Sequence, residues 1–219
     1  MAESERHLML ERYSANVRTN HWIVALLFVL AALSGLALFH PALYWLTALF
    51  GGGPWTRILH PIIGVLMVAA FAVLAAAVFR DNLMDARDRE WLRRFGDVLR
   101  NREEDLPEIG RYNAGQKLLF FVLVVALAGL LVSGIVIWRR YFAGLFPLGA
   151  VRFASLAHAF LAWVLIVAII VHVYAGIWVK GSMRAMLRGH VSAGWAYKHH
   201  RAWFRERLSH AAGSRARSD

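Results

Sequence analysis

The chain has 219 residues, 59% of them hydrophobic, with a mean hydropathy of +0.48, a formal net charge of +11 and no cysteine. Without Cys there can be no disulfide, no thiolate-held iron–sulfur cluster and no covalently attached c-type haem, so any redox cofactor here must hang on His or Met. Apolar runs alternate with segments dense in Arg, Asp and Glu, which excludes an ordinary soluble domain. The same segregation reads the positive charge as a topogenic signal rather than a nucleic-acid surface.

The expected architecture is an all-α membrane protein, residues 1–219 forming a single membrane domain of four transmembrane helices with amphipathic helices outside. Met1 to Asn20 is a polar arm with no apolar stretch ending in a small-residue cleavage site, so a cleaved signal peptide is not expected. The four spans are expected at about 21–40, 57–79, 116–138 and 151–180, each long enough to cross a hydrocarbon core once. Pro41 ends the first, and Ala42–Phe50, too short to span, carries Trp45 into an interfacial position before the Gly51–Pro54 turn. His60-Pro61 falls in the opening turns of the second span, where Pro is tolerated.

The connection 80–112 places Leu83, Met84, Trp91, Leu92, Phe95, Val98 and Leu99 against Arg and Asp, the pattern of a helix lying on a membrane surface or docking a partner. Gly129 and Gly134 in the third span permit close helix approach. The region 181–219 is basic, with a helix expected around Ala193–Leu208 and a disordered tail. The N-terminal arm, the second-to-third connection with Lys117, and the C-terminal region hold three, nine and nine of the 25 Lys and Arg. Positive-inside topology then puts both termini in the cytoplasm of a bacterial inner membrane.

Histidines organise these spans. His158 and His172 are fourteen residues apart in the fourth, a rise of about 21 Å and an offset of about 40°, so one helix face presents imidazoles at two depths. With the topology above, His21 opens the first span at the depth of His172, and His60 opens the second at the depth of His158. The four sort into an inner pair, His21 with His172, and an outer pair, His60 with His158. Paired imidazoles at matched depths suit two six-coordinate b-type haems. The alternative is that they serve as polar contacts between helices. Gly35 and Gly64 lie on the ligand faces, where a macrocycle would press on the backbone. His40 is about 100° off the His21 face and sits by Pro41; His7, His190, His199, His200 and His210 lie in polar segments and are expected to be solvated. A zinc site would want about four ligands in one place, whereas these come two and two.

RTNHW in the first span, RILHP in the second, RYNAGQK before the third and the fourteen-residue His spacing in the fourth together resemble the γ subunit of membrane-bound formate dehydrogenase. The resemblance runs from about Tyr13 to Phe204, and it extends to the cytochrome b subunits of nickel–iron hydrogenases and thiosulfate reductases. It implies a partner iron–sulfur β subunit, a molybdenum- or tungsten-containing catalytic α subunit, and a higher oligomer of heterotrimers. By the same resemblance electrons enter at the outer haem, cross to the inner one and reduce menaquinone or ubiquinone near the cytoplasm, with no formate chemistry in this chain. Asn113, Gly115 and Gln116 match that family's quinone-binding loop, at the depth of His172. On their own chemistry, Asn113 and Gln116 could equally do no more than cap the third span. A non-redox anchor or a transporter is the reading of a different class; against transport, no span carries an Asp/Glu relay or a break at mid-depth.

Overall fold

The computed structural model describes residues 9–99 and 107–215, with side chains for 9–98 and 107–209. Residues 1–8 of the N-terminal arm with His7, the middle of the second-to-third connection, the His210 side chain and the end of the C-terminal tail lie outside the described residues. In chain order come strand β1 (Met9–Glu11), helix α1 (Ala15–Phe39), a 3-10 helix (Pro41–Phe50), α2 (Gly53–Val78), α3 (Ala86–Arg93), α4 (Phe95–Leu99), α5 (Ala114–Ile137), α6 (Leu148–Trp178), α7 (Ser182–Arg188), β2 (His190–Ser192), α8 (Ala193–His199) and α9 (Arg201–Arg215). Four of these, α1, α2, α5 and α6, are long and apolar enough to cross a membrane. This is a multi-pass integral membrane protein.

Each long helix begins two to six residues before its expected span and ends one or two residues short of it. Helix α1 begins at Ala15, because its opening residues up to Asn20 are polar yet helix-compatible. Helix α6 begins directly after Pro147, which cannot continue the preceding chain as helix. The expected interfacial segment is the 3-10 helix, with Pro41 at its start, His40 as its cap and Gly51 closing it at a φ of 82°. The connection forms two short helices, α3 and α4, rather than one, and the expected Ala193–Leu208 helix is broken at His200 into α8 and α9.

By contact the chain divides into two compact units, one of Asn16–Ala77 and Phe121–Ala175, the other of Met1–Ala15, Val78–Phe120 and Gly176–Asp219. The first is the membrane unit. Its helices are apolar all round, and side chains such as Phe153 and Leu156, both 73% exposed, face outward as lipid contact requires. Its buried cluster is small: Ala31, Met67, Phe71, Ala126, Leu127 and Leu165. In hydrocarbon there is no hydrophobic force to pull helices together, so close packing and interhelical hydrogen bonds must do it. Gly129 supplies the first, since a Cβ there would lie 2.5 Å from Leu161 Cδ1. Asn20 supplies the second, its Nδ2 donating to the Ala70 carbonyl at 2.9 Å.

In the polar unit, β1 pairs antiparallel with β2, Met9 opposite Ser192 and Glu11 opposite His190. Nothing in the sequence pattern announced this ribbon, whose three-residue strands are almost the whole chain apart. Arg12, at the end of β1, is 3% exposed and sits among four rings, with its guanidinium carbon 5.0 Å from the Trp203 ring centre and 5.1 Å from that of Trp195. Its Nη2 donates to the Arg111 carbonyl at 2.7 Å and to His200 Nε2 at 3.1 Å, while Arg111 Nη2 donates back to the Arg12 carbonyl. His200 is thus buried rather than solvated as the sequence suggested. Its Nδ1 donates to the Gly110 carbonyl at 2.8 Å, which leaves Nε2 as the acceptor Arg12 needs.

Burial, and then the adjacent Arg12 charge, lower the His200 pKa from 6.5 to about 3. A base whose pKa falls on folding binds its proton in the unfolded chain first, so stability is complete above about pH 6.5 and declines below it toward 3. The decline should approach about 1.4 kcal/mol per pH unit in that window. His200→Gln, whose amide can both donate to Gly110 and accept from Arg12, should flatten it. Thermal melts followed by tryptophan fluorescence at several pH values between 5 and 7.5, with Trp195 packed 5.2 Å from His200 as reporter, measure the difference.

Candidate haem site

All four histidines singled out by spacing lie in the membrane unit, and the fold brings them together in the expected pairs. His21 of α1 and His172 of α6 have ring centres 6.1 Å apart with planes at 53°. His60 of α2 and His158 of α6 have ring centres 6.3 Å apart with planes at 78°. Leu165, seven residues from both His158 and His172, belongs to the buried apolar cluster, so that cluster forms a layer at mid-depth between the two pairs. Among the described residues, no three His, Asp or Glu side chains gather as a metal cluster would need. His40 is occupied elsewhere, its Nδ1 accepting the Ala42 N–H at 3.2 Å.

The spacing within each pair is informative. Two imidazoles facing each other across one metal ion, each nitrogen about 2 Å from it, have ring centres roughly 6.3 Å apart. Rings stacked on one another, or hydrogen-bonded directly, would sit closer. In the His60–His158 pair the nitrogen that would face a metal is also identified. With the Leu30 carbonyl at 2.7 Å and the Ala31 carbonyl at 3.1 Å to take its proton, Ser34 Oγ is placed to accept from His60 Nδ1, 2.9 Å away. Ser133 Oγ donates to the Gly129 carbonyl at 2.6 Å and stands 3.0 Å from His158 Nδ1 in the same relation. Both Nδ1 atoms therefore carry the proton, and both Nε2 atoms carry a lone pair. In the other pair, His21 Nδ1 is buried with no hydrogen-bond partner among the described residues. The donor set fits b-type haem iron.

Sequence reasoning missed the two serines. Each is followed by a glycine, Ser34-Gly35 in α1 and Ser133-Gly134 in α5, and each glycine faces the same imidazole as its serine. A Cβ at Gly35 would come within 3.1 Å of His60 Cε1, and one at Gly134 within 3.3 Å of His158 Cε1. Gly134 thus permits the close approach of α6 expected of it, and Gly35 leaves its space to the His60 ring. Gly64 has nothing within 4 Å of its would-be Cβ. The signal that could have found the pairs is the repetition of Ser-Gly in two spans that otherwise hold almost no polar residue.

The loop before α5 belongs to the polar unit. The Gln116 N–H donates to Asn113 Oδ1 at 2.9 Å and the Asn113 N–H to Gln116 Oε1 at 3.0 Å, a reciprocal cap on the helix start. Because backbone N–H groups fill both amide oxygens, both amide NH2 groups point elsewhere. Gly115 lets Trp91 pack on the first turn, a Cβ there falling 3.3 Å from the indole. A cleft beside it is lined by Asp85, Asp88, Trp91, Tyr112, Asn113 and Lys117. Burial, then the neighbouring Tyr13, push the Tyr112 phenol pKa up, keeping a neutral hydroxyl at that wall.

Four apolar spans presenting paired imidazoles at two depths define a membrane cytochrome b. The family model of prokaryotic cytochrome b561 matches residues 12–189. This chain belongs to that family, and it is a haem b protein. It is 45% identical over 195 residues, 89% of its length and 92% of the relative's, to the formate dehydrogenase cytochrome b556(fdo) subunit of Escherichia coli K12. The nitrate-inducible formate dehydrogenase cytochrome b556(Fdn) subunit of the same organism is 43% identical over 189 residues, 86% of this chain and 87% of the relative. The formate dehydrogenase cytochrome b556 subunit of Haemophilus influenzae is 38% identical over 197 residues, 90% of this chain and 83% of the relative.

At the cleft, Lys117 Nζ meets Asp88 Oδ2 at 2.7 Å with side chains only 9% and 7% exposed. Removing one partner strands the other charge, so Lys117→Met should destabilise the polar unit by about 3–5 kcal/mol. Lys117→Met with Asp88→Asn, which removes the charge but keeps the oxygen that accepts the Asp85 N–H, should recover much of that. Urea titrations of the three proteins compare them.

Proposed function

We propose that this chain is the di-haem cytochrome b subunit of a formate dehydrogenase, carrying electrons across the bacterial inner membrane from an iron–sulfur subunit to quinone. The observation that carries the reading is the pair of imidazole pairs, with ring centres 6.1 and 6.3 Å apart, drawn from three spans and joined through α6. The names of the relatives above support the choice of enzyme. Haem iron at each pair supplies a one-electron carrier, and the two positions are about 21 Å apart along α6.

His60 and His158 hold the outer haem and His21 and His172 the inner one. A molybdenum or tungsten α subunit oxidises formate, and an iron–sulfur β subunit delivers the electrons, within a higher oligomer of heterotrimers. The distribution of Arg and Lys supports cytoplasmic termini. Electrons entering from outside and protons taken up inside make the transfer charge-separating, worth about 2.3 kcal/mol per charge per 100 mV. Asn113, Gly115 and Gln116 form the quinone contact. The cap geometry is compatible, since the amide NH2 groups it leaves over are donors suited to a quinone oxygen, menaquinone or ubiquinone alike.

The purified chain should carry two b haems, released by acid–acetone. His60→Ala or His158→Ala should remove the outer one and leave the inner; His21→Ala or His172→Ala should do the reverse. Haem quantitation with low-temperature difference spectra reads both results, and one haem or none in folded wild-type protein overturns the assignment.

Asn113→Ser separates capping from quinone contact, because serine keeps a cap oxygen but has no amide. If Asn113 only caps, stability and quinone turnover both stay near wild type. If it also donates to the quinone, turnover with formate in the intact complex falls roughly five- to tenfold at unchanged haem content, the effect of losing a hydrogen bond of about 1 kcal/mol or somewhat more.

A further inference from the structure

We infer that Ser34-Gly35 and Ser133-Gly134 are a matched pair of clasps that set the orientation of the outer haem's two axial imidazoles and the electron density they donate. The inference rests on the ligand assignment proposed above. Each clasp acts on its histidine in two ways at once. The serine hydroxyl, its proton already given to a carbonyl one turn back, accepts from Nδ1–H at 2.9 Å for His60 and 3.0 Å for His158. The glycine that follows removes the Cβ which would stand 3.1 Å from His60 Cε1 or 3.3 Å from His158 Cε1. Serine pins the ring by one edge and glycine lets the ring lie against the helix. With one edge held, the ring plane is held.

The result is the 78° angle between the two planes, against 53° for the inner pair, which has no such clasp among the described residues. His21 Nδ1 there is buried and unpartnered. An axial imidazole that donates its second N–H becomes a more basic ligand and favours the ferric state. The two clasps thus make the outer haem differ from the inner one in potential and in axial geometry, although both have the same two ligand types. Ser34 is fully buried and Ser133 nearly so, and neither bears on the histidines of the inner pair.

The test uses the full chain purified with its haem, by optical redox titration and by low-temperature EPR of the ferric form. The largest g value of a low-spin bis-imidazole haem rises as the axial planes approach perpendicular. Ser34→Ala and Ser133→Ala should each raise the outer haem's midpoint potential and lower its largest g value, leaving the inner haem where it was. Ser133→Thr, which restores a hydroxyl, should return both to wild type. Gly134→Ala keeps the serine but presses a methyl on the ring, so it should move the g value even if an alanine at position 34 or 133 prevents haem incorporation. An outer-haem potential and g value unchanged in the alanine variants, an unchanged g value in Gly134→Ala, or equal shifts in both haems would each overturn the inference. A wild-type chain with fewer than two haems would instead sink the ligand assignment, and it is read before any variant is made.

Discussion

An imidazole carried into hydrocarbon has two nitrogens, and neither can turn to water. One must donate its proton to an acceptor, and the other must find something for its lone pair. This constraint orders the membrane unit. At His60 and His158 the protonated nitrogen is satisfied by a serine on a neighbouring helix, and that choice commits Nε2 to act as acceptor or ligand. Two such Nε2 atoms brought together cannot satisfy each other, since both bring lone pairs. A cation between them would resolve the conflict, and ring centres 6.3 Å apart leave room for one.

Helix α6 contributes one histidine to each pair, so its rigidity sets the separation of the two positions. Its partners are divided between α1 and α2, while α5 brings no histidine; it contributes Ser133 and Gly134 as support for His158 instead. The apolar layer around Leu165 lies between the pairs, and its composition follows from that place. Ala31 and Ala126 let the helices draw together there, and Phe71 and Met67 fill the width that remains. A polar side chain in that layer would be costly in hydrocarbon and would change the dielectric between the two histidine pairs.

Much of this was legible in the residues. Span number follows from hydropathy, and pairing follows from the fourteen-residue spacing once alternate spans are known to run in opposite directions. What could not be read was what touches an imidazole's second nitrogen. Serine in a membrane helix ordinarily bonds back to its own carbonyl, and nothing local tells that Ser34 does this while also receiving His60 from another helix. Gly35 could be assigned to its face, but helix geometry gives a direction and not the neighbour, here His60, that meets it. His200 was misjudged for a different reason. Its sequence neighbours are Lys, His and Arg, and its burial depends on β1, which pairs with a strand about 180 residues along the chain.

The polar unit answers the same constraint with opposite means. Arg12 is a buried cation held by rings, a carbonyl and a neutral histidine. Such a cation is tolerable only while His200 stays uncharged, and His200 stays uncharged because Gly110 takes its Nδ1 proton and Arg12 itself opposes a second one. The bonds are mutually dependent: Gly110 and Arg111 come from the loop before α5, Arg12 from just after β1, and His200 from the break between α8 and α9. Three segments that share no sequence proximity are thereby fixed to the start of a membrane span, next to the residues that cap it. In the membrane unit a histidine's spare lone pair is turned toward a second imidazole; here it is given to an arginine. The difference lies in the company each histidine keeps, a serine and a second imidazole in one place, a guanidinium in the other.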